Sequence, residues 1–179
     1  MTTTITADAS GASAAFAAAI TGTVPRVIIV EGEVARTGRL RVGSNKSIIG
    51  GRNGTIGSGG MQITSGTNII IRNLRFLGVV GGDCITVQNT TRVWIDHNDL
   101  SSNPNIIKNG PDLYDGLLDI IRGSNWITVS WNYFHDHYKG SLNGNSDTLR
   151  NVDSGTLKIS FSHNHWKNLG EYTRRLPRH

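Results

Sequence analysis

The chain has 179 residues, 37% of them hydrophobic and only 17% charged, which makes one domain with a buried core and excludes a disordered tail or a coiled coil. Twenty-two glycines and 16 asparagines against four prolines describe short strands joined by tight turns rather than a helical bundle. Eighteen Lys and Arg against 13 Asp and Glu leave a net charge of +5, which points to a polyanionic partner (nucleic acid, acidic polysaccharide or membrane surface) without choosing among them, because no basic run or basic–aromatic stripe accompanies it.

In chain order, Met1-Thr2-Thr3-Thr4 lacks a charged leader region and the alanine-rich stretch after it lacks a leucine core, so no secretory leader is expected in this chain. Asp8 or Ser10 can cap a helix over Ala12 to Ile20 that Gly22 ends, giving a cap helix within residues 8–21. After Pro25 the character changes. Val27-Ile28-Ile29-Val30, Ser47-Ile48-Ile49, Met61-Gln62-Ile63 and Asn68-Ile69-Ile70-Ile71 are β-branched runs separated by Gly, Ser, Thr and Asn, and read as strands. Gly50-Gly51 and Gly57-Ser58-Gly59-Gly60 match neither phosphate-loop nor dinucleotide fingerprints and read as turns. Cys84, the only cysteine, excludes an internal disulfide. No stretch approaches 18 apolar residues, so no membrane-spanning helix is expected.

One unit recurs. Ile69-Ile70-Ile71-Arg72-Asn73-Leu74-Arg75-Phe76 is echoed by Val93 to Leu100, by Ile127 to Phe134 and by Leu157 to Trp166, each an alternating strand followed by Asn at 73, 98, 132 and 164. A period of this size is the mark of a solenoid. In a parallel β-helix the Asn takes a left-handed turn and stacks on its copy in the next coil. A β-sandwich would not repeat Asn at a fixed phase. The first helix then covers one open end of the core, the coils run over 27–179, and Ser101 to Tyr114, with Pro104 and Pro111, is the longest insertion.

Three aspartates stand out: Asp83 after Gly81-Gly82, and Asp115 and Asp119 four apart. Brought together from neighbouring coils they offer the oxygen-rich site that Ca²⁺ needs; equally, they are turn residues bonding their own backbone. Lys139 and Arg175 are cations near aromatic residues, and unaided they read as solvated charge. His135 and His137 face one side of a strand, but without a third ligand a hydrogen-bonded structural role is preferred over zinc.

Val93-Trp94-Ile95-Asp96-His97, Tyr114-Asp115-Gly116-Leu117-Leu118-Asp119-Ile120, Trp126 to Lys139 and Arg175-Leu176-Pro177, in this order, closely resemble the pectate lyases of the right-handed parallel β-helix class. The resemblance is dense from Asn68 to Pro177 and looser from Val27. It implies a secreted, monomeric enzyme that uses Ca²⁺ to cleave de-esterified polygalacturonate by β-elimination, leaving 4,5-unsaturated oligogalacturonides. Carried over residue by residue, it makes Asp83, Asp115 and Asp119 calcium ligands, Lys139 the grip on a substrate carboxylate and Arg175 the base. Asp96 and His97 would support their strand.

There are departures. An acidic ligand of some members falls at Gly81. The family's catalytic domains continue past the Arg-Leu-Pro motif, so further coils are expected to be missing here. Arginine is also an awkward base that must be depressed by neighbouring cations. A pectin lyase would replace the aspartates, and a hydrolase would need an acid–base pair of carboxylates. A non-catalytic polysaccharide-binding β-helix, or an inactive fragment, stays open.

Overall fold

The computed structural model of the chain describes residues 1–6, 12–35, 38–102, 114–145 and 150–174. The chain enters on β1 (Thr2–Thr6), passes through α1 (Ala12–Ile20) and winds through β2 (Arg26–Glu31), β3 (Glu33–Ala35) and β4 (Leu40–Val42). Further turns are β5 (Lys46–Gly50), β6 (Thr55–Gly57) and β7 (Met61–Thr64), then β8 (Thr67–Arg72), β9 (Arg75–Leu77) and β10 (Ile85–Gln88). Next come β11 (Thr91–Asp96), β12 (Asp99–Ser101) and β13 (Leu118–Ile121), then β14 (Asn125–Ser130) and β15 (Tyr133–Asn143), and last β16 (Ile159–Ser162) and β17 (His165–Arg174).

All pairings are parallel. They build three walls. The first is β1-β2-β5-β8-β11-β14-β16; the second, β3-β6-β9-β12-β15, runs on through β15 into the third, β13-β10-β7-β4. β15 serves both because its 11 residues pair first with β12, through Tyr133–His135, and then with β13, through Ser141–Asn143. Each coil visits the walls in turn, which is a parallel β-helix.

Alternation makes the core. In the first wall Ile28, Ile48, Ile71, Ile95 and Val129 stand in one register column and all are fully buried. Burial of each stabilises by about 1.5–3 kcal/mol, and β-branching suits the pleat. In the second, Phe76, Leu100, Phe134 and Trp166 form another column, with the Phe134 and Trp166 rings stacked at 4.1 Å. α1 buries Phe16, Ala19 and Ile20 against β1 to β4 at one end of this core. Just beyond the helix, the buried Lys46 ammonium donates to the carbonyls of Gly22, Val24 and Ser44 and fixes the turn.

Two differences from the sequence reading are informative. The first wall begins at Thr2, not after Pro25, because the β-branched Thr2–Thr6 run pairs with Val27 to Glu31. The second concerns the asparagines. Asn98, Asn132 and Asn164 do form a ladder. Asn132 Oδ1 accepts from the backbone and side-chain amides of Asn98 at 2.9 and 3.0 Å, and Asn164 Oδ1 does the same for Asn132. Asn73 is not in it. Its place is taken by Leu74, whose backbone N–H donates to Asn98 Oδ1 at 3.0 Å. The left-handed residues are those one position earlier: Asn73, His97, Trp131 and His163, with φ between 52° and 56°. The turn and the ladder are therefore adjacent columns, not one. The caps at Asp8 and Ser10, and residues 103–113 of the insertion, lie outside the described residues.

Candidate active site

The third wall carries a polar column on its outer face. Register aligns Arg41, Gln62, Thr86 and Asp119 across β4, β7, β10 and β13, with Leu142 of β15 next in the row, at about 4.8 Å per strand. Asp119 alternates with buried Leu118 and Ile120, so it must face outward. Its Oδ1 accepts from the Leu142 N–H at 3.2 Å. Asp83 arrives from the turn before β10 and is buried, at 7% exposure. Its Oδ2 accepts from Thr86 Oγ1 at 2.5 Å and its Oδ1 from the Gly116 N–H at 2.9 Å. Asp115 precedes β13, and its half-exposed carboxylate stands 3.5 Å from Lys139 Nζ.

At Gly116 the buried Asp83 carboxylate and the partly buried Asp119 carboxylate approach the same backbone position. A Cβ there would overlap Asp119 Oδ1 and approach Asp83 Oδ1 at 3.2 Å. Beside it lies a cavity of about 40 Å³ lined by Asp115, Gly116, Asp119, Lys139, Gly140, Ser141 and Leu142. The buried Ser141 hydroxyl has no hydrogen-bond partner among the described residues.

The electrostatics are those of crowded acids. Burial, then the charges of Asp83 and Asp115, push the Asp119 carboxyl up to about 8, with Leu142 and Lys139 opposing. Burial pushes Asp83 above the ordinary range as well, against the hydrogen bond from Thr86. Two carboxylates that resist ionising where they sit are a site short of positive charge.

Among the described residues, no three His, Cys, Asp or Glu side chains close around a single point. Asp83 is turned to Thr86 and Gly116, Asp119 to Leu142, and Asp115 to Lys139. The donor set still fits a hard divalent cation. It is all oxygen, burial and the neighbouring acid charges raise Asp83 and Asp119, and the missing Cβ of Gly116 leaves room between them.

Two further residues hold this wall: Arg39, which sequence reasoning missed, and His137, for which the sequence suggests a hydrogen-bonded structural role without naming its partners. The half-buried Arg39 guanidinium donates to the carbonyl of Asp83, to Thr86 Oγ1 and, at 3.1 Å, to the carbonyl of Met61. It thus ties the Asp83 turn to β7 and aligns the hydroxyl that holds Asp83. Burial lowers its pKa, opposed by Asp83. No local pattern marks it, since 44 residues separate it from Asp83; only the register of β4 on β7 and β10 could have found it.

His137, 2% exposed, bonds the carbonyl of Asp115 through Nε2 and Ser102 Oγ through Nδ1. A carbonyl only accepts, so Nε2 carries the proton and Nδ1 takes the Ser102 hydroxyl. Burial lowers its pKa, and it anchors the Asp115 turn as a neutral ring. His135 is likewise structural, between Asp99 Oδ1 at 2.7 Å and Asp136 Oδ2 at 2.8 Å.

The structure therefore brings Asp83, Asp115, Asp119 and Lys139 to one wall. Asp96 and His97 sit on the first wall, far from it in the fold. Arg175 lies outside the described residues, but β17 runs up to it: Arg174 is in register with Leu142, the neighbour of Asp119.

The pectate lyase family model matches residues 6–179. Pectate lyase B of Colletotrichum gloeosporioides is 44% identical over 158 residues, 87% of this chain and 47% of that protein. Pectate lyase A of Emericella nidulans is 42% identical over 160 residues, 87% and 48%. The chain spans about half the length of these curated relatives. A pectate lyase of Bacillus sp. N165, solved in complex with trigalacturonate, superposes with a TM-score of 0.73 at 32% identity, covering 82% of this chain and 49% of that one. A variant of the Bacillus subtilis enzyme, 22% identical, shares the fold with a TM-score of 0.80 over 94% of this chain and 61% of that one. With the family model spanning nearly its whole length, the chain belongs to the pectate lyase family.

Proposed function

We propose that this chain carries the acid wall of a secreted, calcium-dependent lyase that cleaves de-esterified polygalacturonate to 4,5-unsaturated oligogalacturonides. The observation that carries the reading is the crowding of Asp83, Asp115 and Asp119 on one wall, with Asp119 raised to about 8 and Lys139 within 3.5 Å of Asp115. Relatives named pectate lyases and a similar enzyme solved with trigalacturonate support the choice of polymer.

Asp83, Asp115 and Asp119 would hold the calcium ion, which when bound neutralises a uronate carboxylate and withdraws charge from it. The chain's own part follows from the substrate. The proton on C5 lies α to a carboxylate and is too weakly acidic to leave unaided. Lys139, a cation at the edge of the cavity, pairs with that carboxylate and stabilises the negative charge that develops on it. The base proposed from the resemblance is Arg175, which takes the C5 proton. The electron pair of the C5–H bond becomes the C4–C5 double bond, and the C4–O bond breaks with its pair on the leaving oxygen, which then gains a proton. No water is consumed, so no acid–base pair of carboxylates is needed. A neutral His137 anchors the Asp115 turn, and Arg39 ties down the Asp83 turn.

The test is ultraviolet absorbance of the unsaturated product. Polygalacturonate with calcium should give a steady rise that chelator stops. A flat trace in both, or a rise indifferent to chelator, overturns the reading.

A further inference from the structure

The first wall, remote from the acid cavity, has a face that lyase chemistry leaves unused. Trp94 on β11, Trp126 near the start of β14 and Trp131 just past its end are 37%, 58% and 55% exposed. Between Trp94 and Trp131 opens a shallow basin of about 530 Å³ whose lining includes Arg72, Asp96, His97 and His163.

Cations stand against the indoles. Arg72 lies 5.5 Å from the Trp94 ring centre and Lys158 Nζ 4.4 Å from that of Trp126. Of the residues in β8, β11, β14 and β16, Asp96 is the only acid. It is 1% exposed, with Oδ1 taken by Ser130 Oγ at 2.6 Å and Oδ2 by His97 Nδ1 at 2.7 Å and Arg72 Nε at 3.3 Å. No carboxylate on these strands is left to repel an anion.

We propose that this wall is a second, non-catalytic binding strip for an acidic polysaccharide, centred on Trp94, Trp126 and Trp131 with Arg72 and Lys158. A uronate residue pairs an apolar face of C–H groups with one carboxylate, and each aromatic–cation pair on the wall offers the complement of both. Nucleic acid fits less well. Trp131 is stacked on His163 at 4.3 Å and faces His97 at 5.9 Å, so no flat base can slide onto it. The Trp94 N–H is given to Ser130 Oγ at 3.0 Å; what stays open is a rim of ring edges with the exposed Trp126 and Trp131 indoles and the cations Arg72 and Lys158, suited to hydroxyls and carboxylates. The Val93-Trp94-Ile95-Asp96-His97 motif thereby gains a use: Asp96 and His97 fix the floor from which Arg72 and Trp94 project. The choice of galacturonan among acidic polysaccharides rests on the function proposed above.

The experiment is electrophoresis of the chain through gels containing polygalacturonate, with chelator present so that the acid wall carries no metal. Trp126→Ala and Lys158→Glu change exposed side chains away from that wall, and circular dichroism checks their fold. Wild type should be retarded, and each variant should weaken binding by roughly two- to fivefold, as one aromatic or cationic contact would. Fully methyl-esterified pectin should retard wild type little. The strip is overturned if wild type is not retarded, if both variants migrate as wild type does, or if esterified pectin or single-stranded DNA retards it equally. It is also overturned if sedimentation shows the variants dissolving a dimer. Failure of the lyase reading shows separately, as absent unsaturated product from a chain that polygalacturonate still retards.

Discussion

Asp119 is a single carboxyl whose surroundings favour its proton, and the consequence is a sign. Its pKa is about 8 in the folded chain against 3.8 for the free group, so between those values the folded chain binds more protons than the unfolded one. Stability from this group is complete below about pH 4 and is lost as pH rises through about 8; Asp83, also raised, adds in the same direction. In chelator, the melting temperature should therefore fall from about pH 5 to about pH 9, and Asp119→Asn should flatten that fall by a few degrees. A steeper fall in the variant would contradict the assignment. Added calcium should raise the wild-type value most at the alkaline end. Asp119→Ala should lower calcium-dependent product formation by about a hundredfold or more, read by absorbance. Gly116→Ala should weaken calcium binding while leaving the fold intact, because Gly116 is not among the residues with positive φ and the three atoms nearest the added methyl all belong to the Asp119 and Asp83 carboxylates. Arg39→Ala should cost about 2–4 kcal/mol in urea unfolding, with Arg39→Lys costing less but not restoring the fork that reaches both Asp83 and Thr86.

The Asn ladder, at the scale of one coil on the next, shows what sequence alone reveals and where it slips. The recurrence of Asn98, Asn132 and Asn164 announces stacked coils because each amide must be answered by the next one. Asn132 uses its amide fully, through Oδ1 to Asn98 and Nδ2 to Asn164 and the Ile95 carbonyl. Asn132→Ala should destabilise the chain by about 2–4 kcal/mol, since it orphans buried groups on both sides; a cost below about 0.5 kcal/mol in urea would show that the ladder is ornamental. Asn73 misleads because left-handed backbone and ladder both favour Asn, and only register separates a residue that turns the chain from one that bonds up the stack. The strands themselves were legible because alternation decides which residues face the core. The Thr2–Thr6 strand was not, because threonine gives β propensity without an alternating apolar face.

Across the whole molecule, the candidate site is an effect of winding. Asp83, Asp119 and Lys139 belong to β10, β13 and β15 or the turn before them, and nothing local in the sequence says that these strands are neighbours. The resemblance to a family supplied that neighbourhood, while Arg39, which positions Asp83 from another coil, carried no motif and was invisible until the register was known; a structural role for His137 was legible, but its hold on the Asp115 turn was not. The polarity of the solenoid follows the same logic: one wall concentrates buried carboxylate, while another shows indole and cation.

If the acid wall is a calcium site held partly protonated in its empty state, binding must displace that proton. Calorimetric titration of calcium into the chain at neutral pH, repeated in buffers of different ionisation heat, measures this directly. The account predicts one ion, half-saturation on the order of 0.1–1 mM, release of about one proton, and loss of that release in Asp119→Asn. Calcium binding whose heat is independent of buffer, or no binding at millimolar calcium, would contradict it.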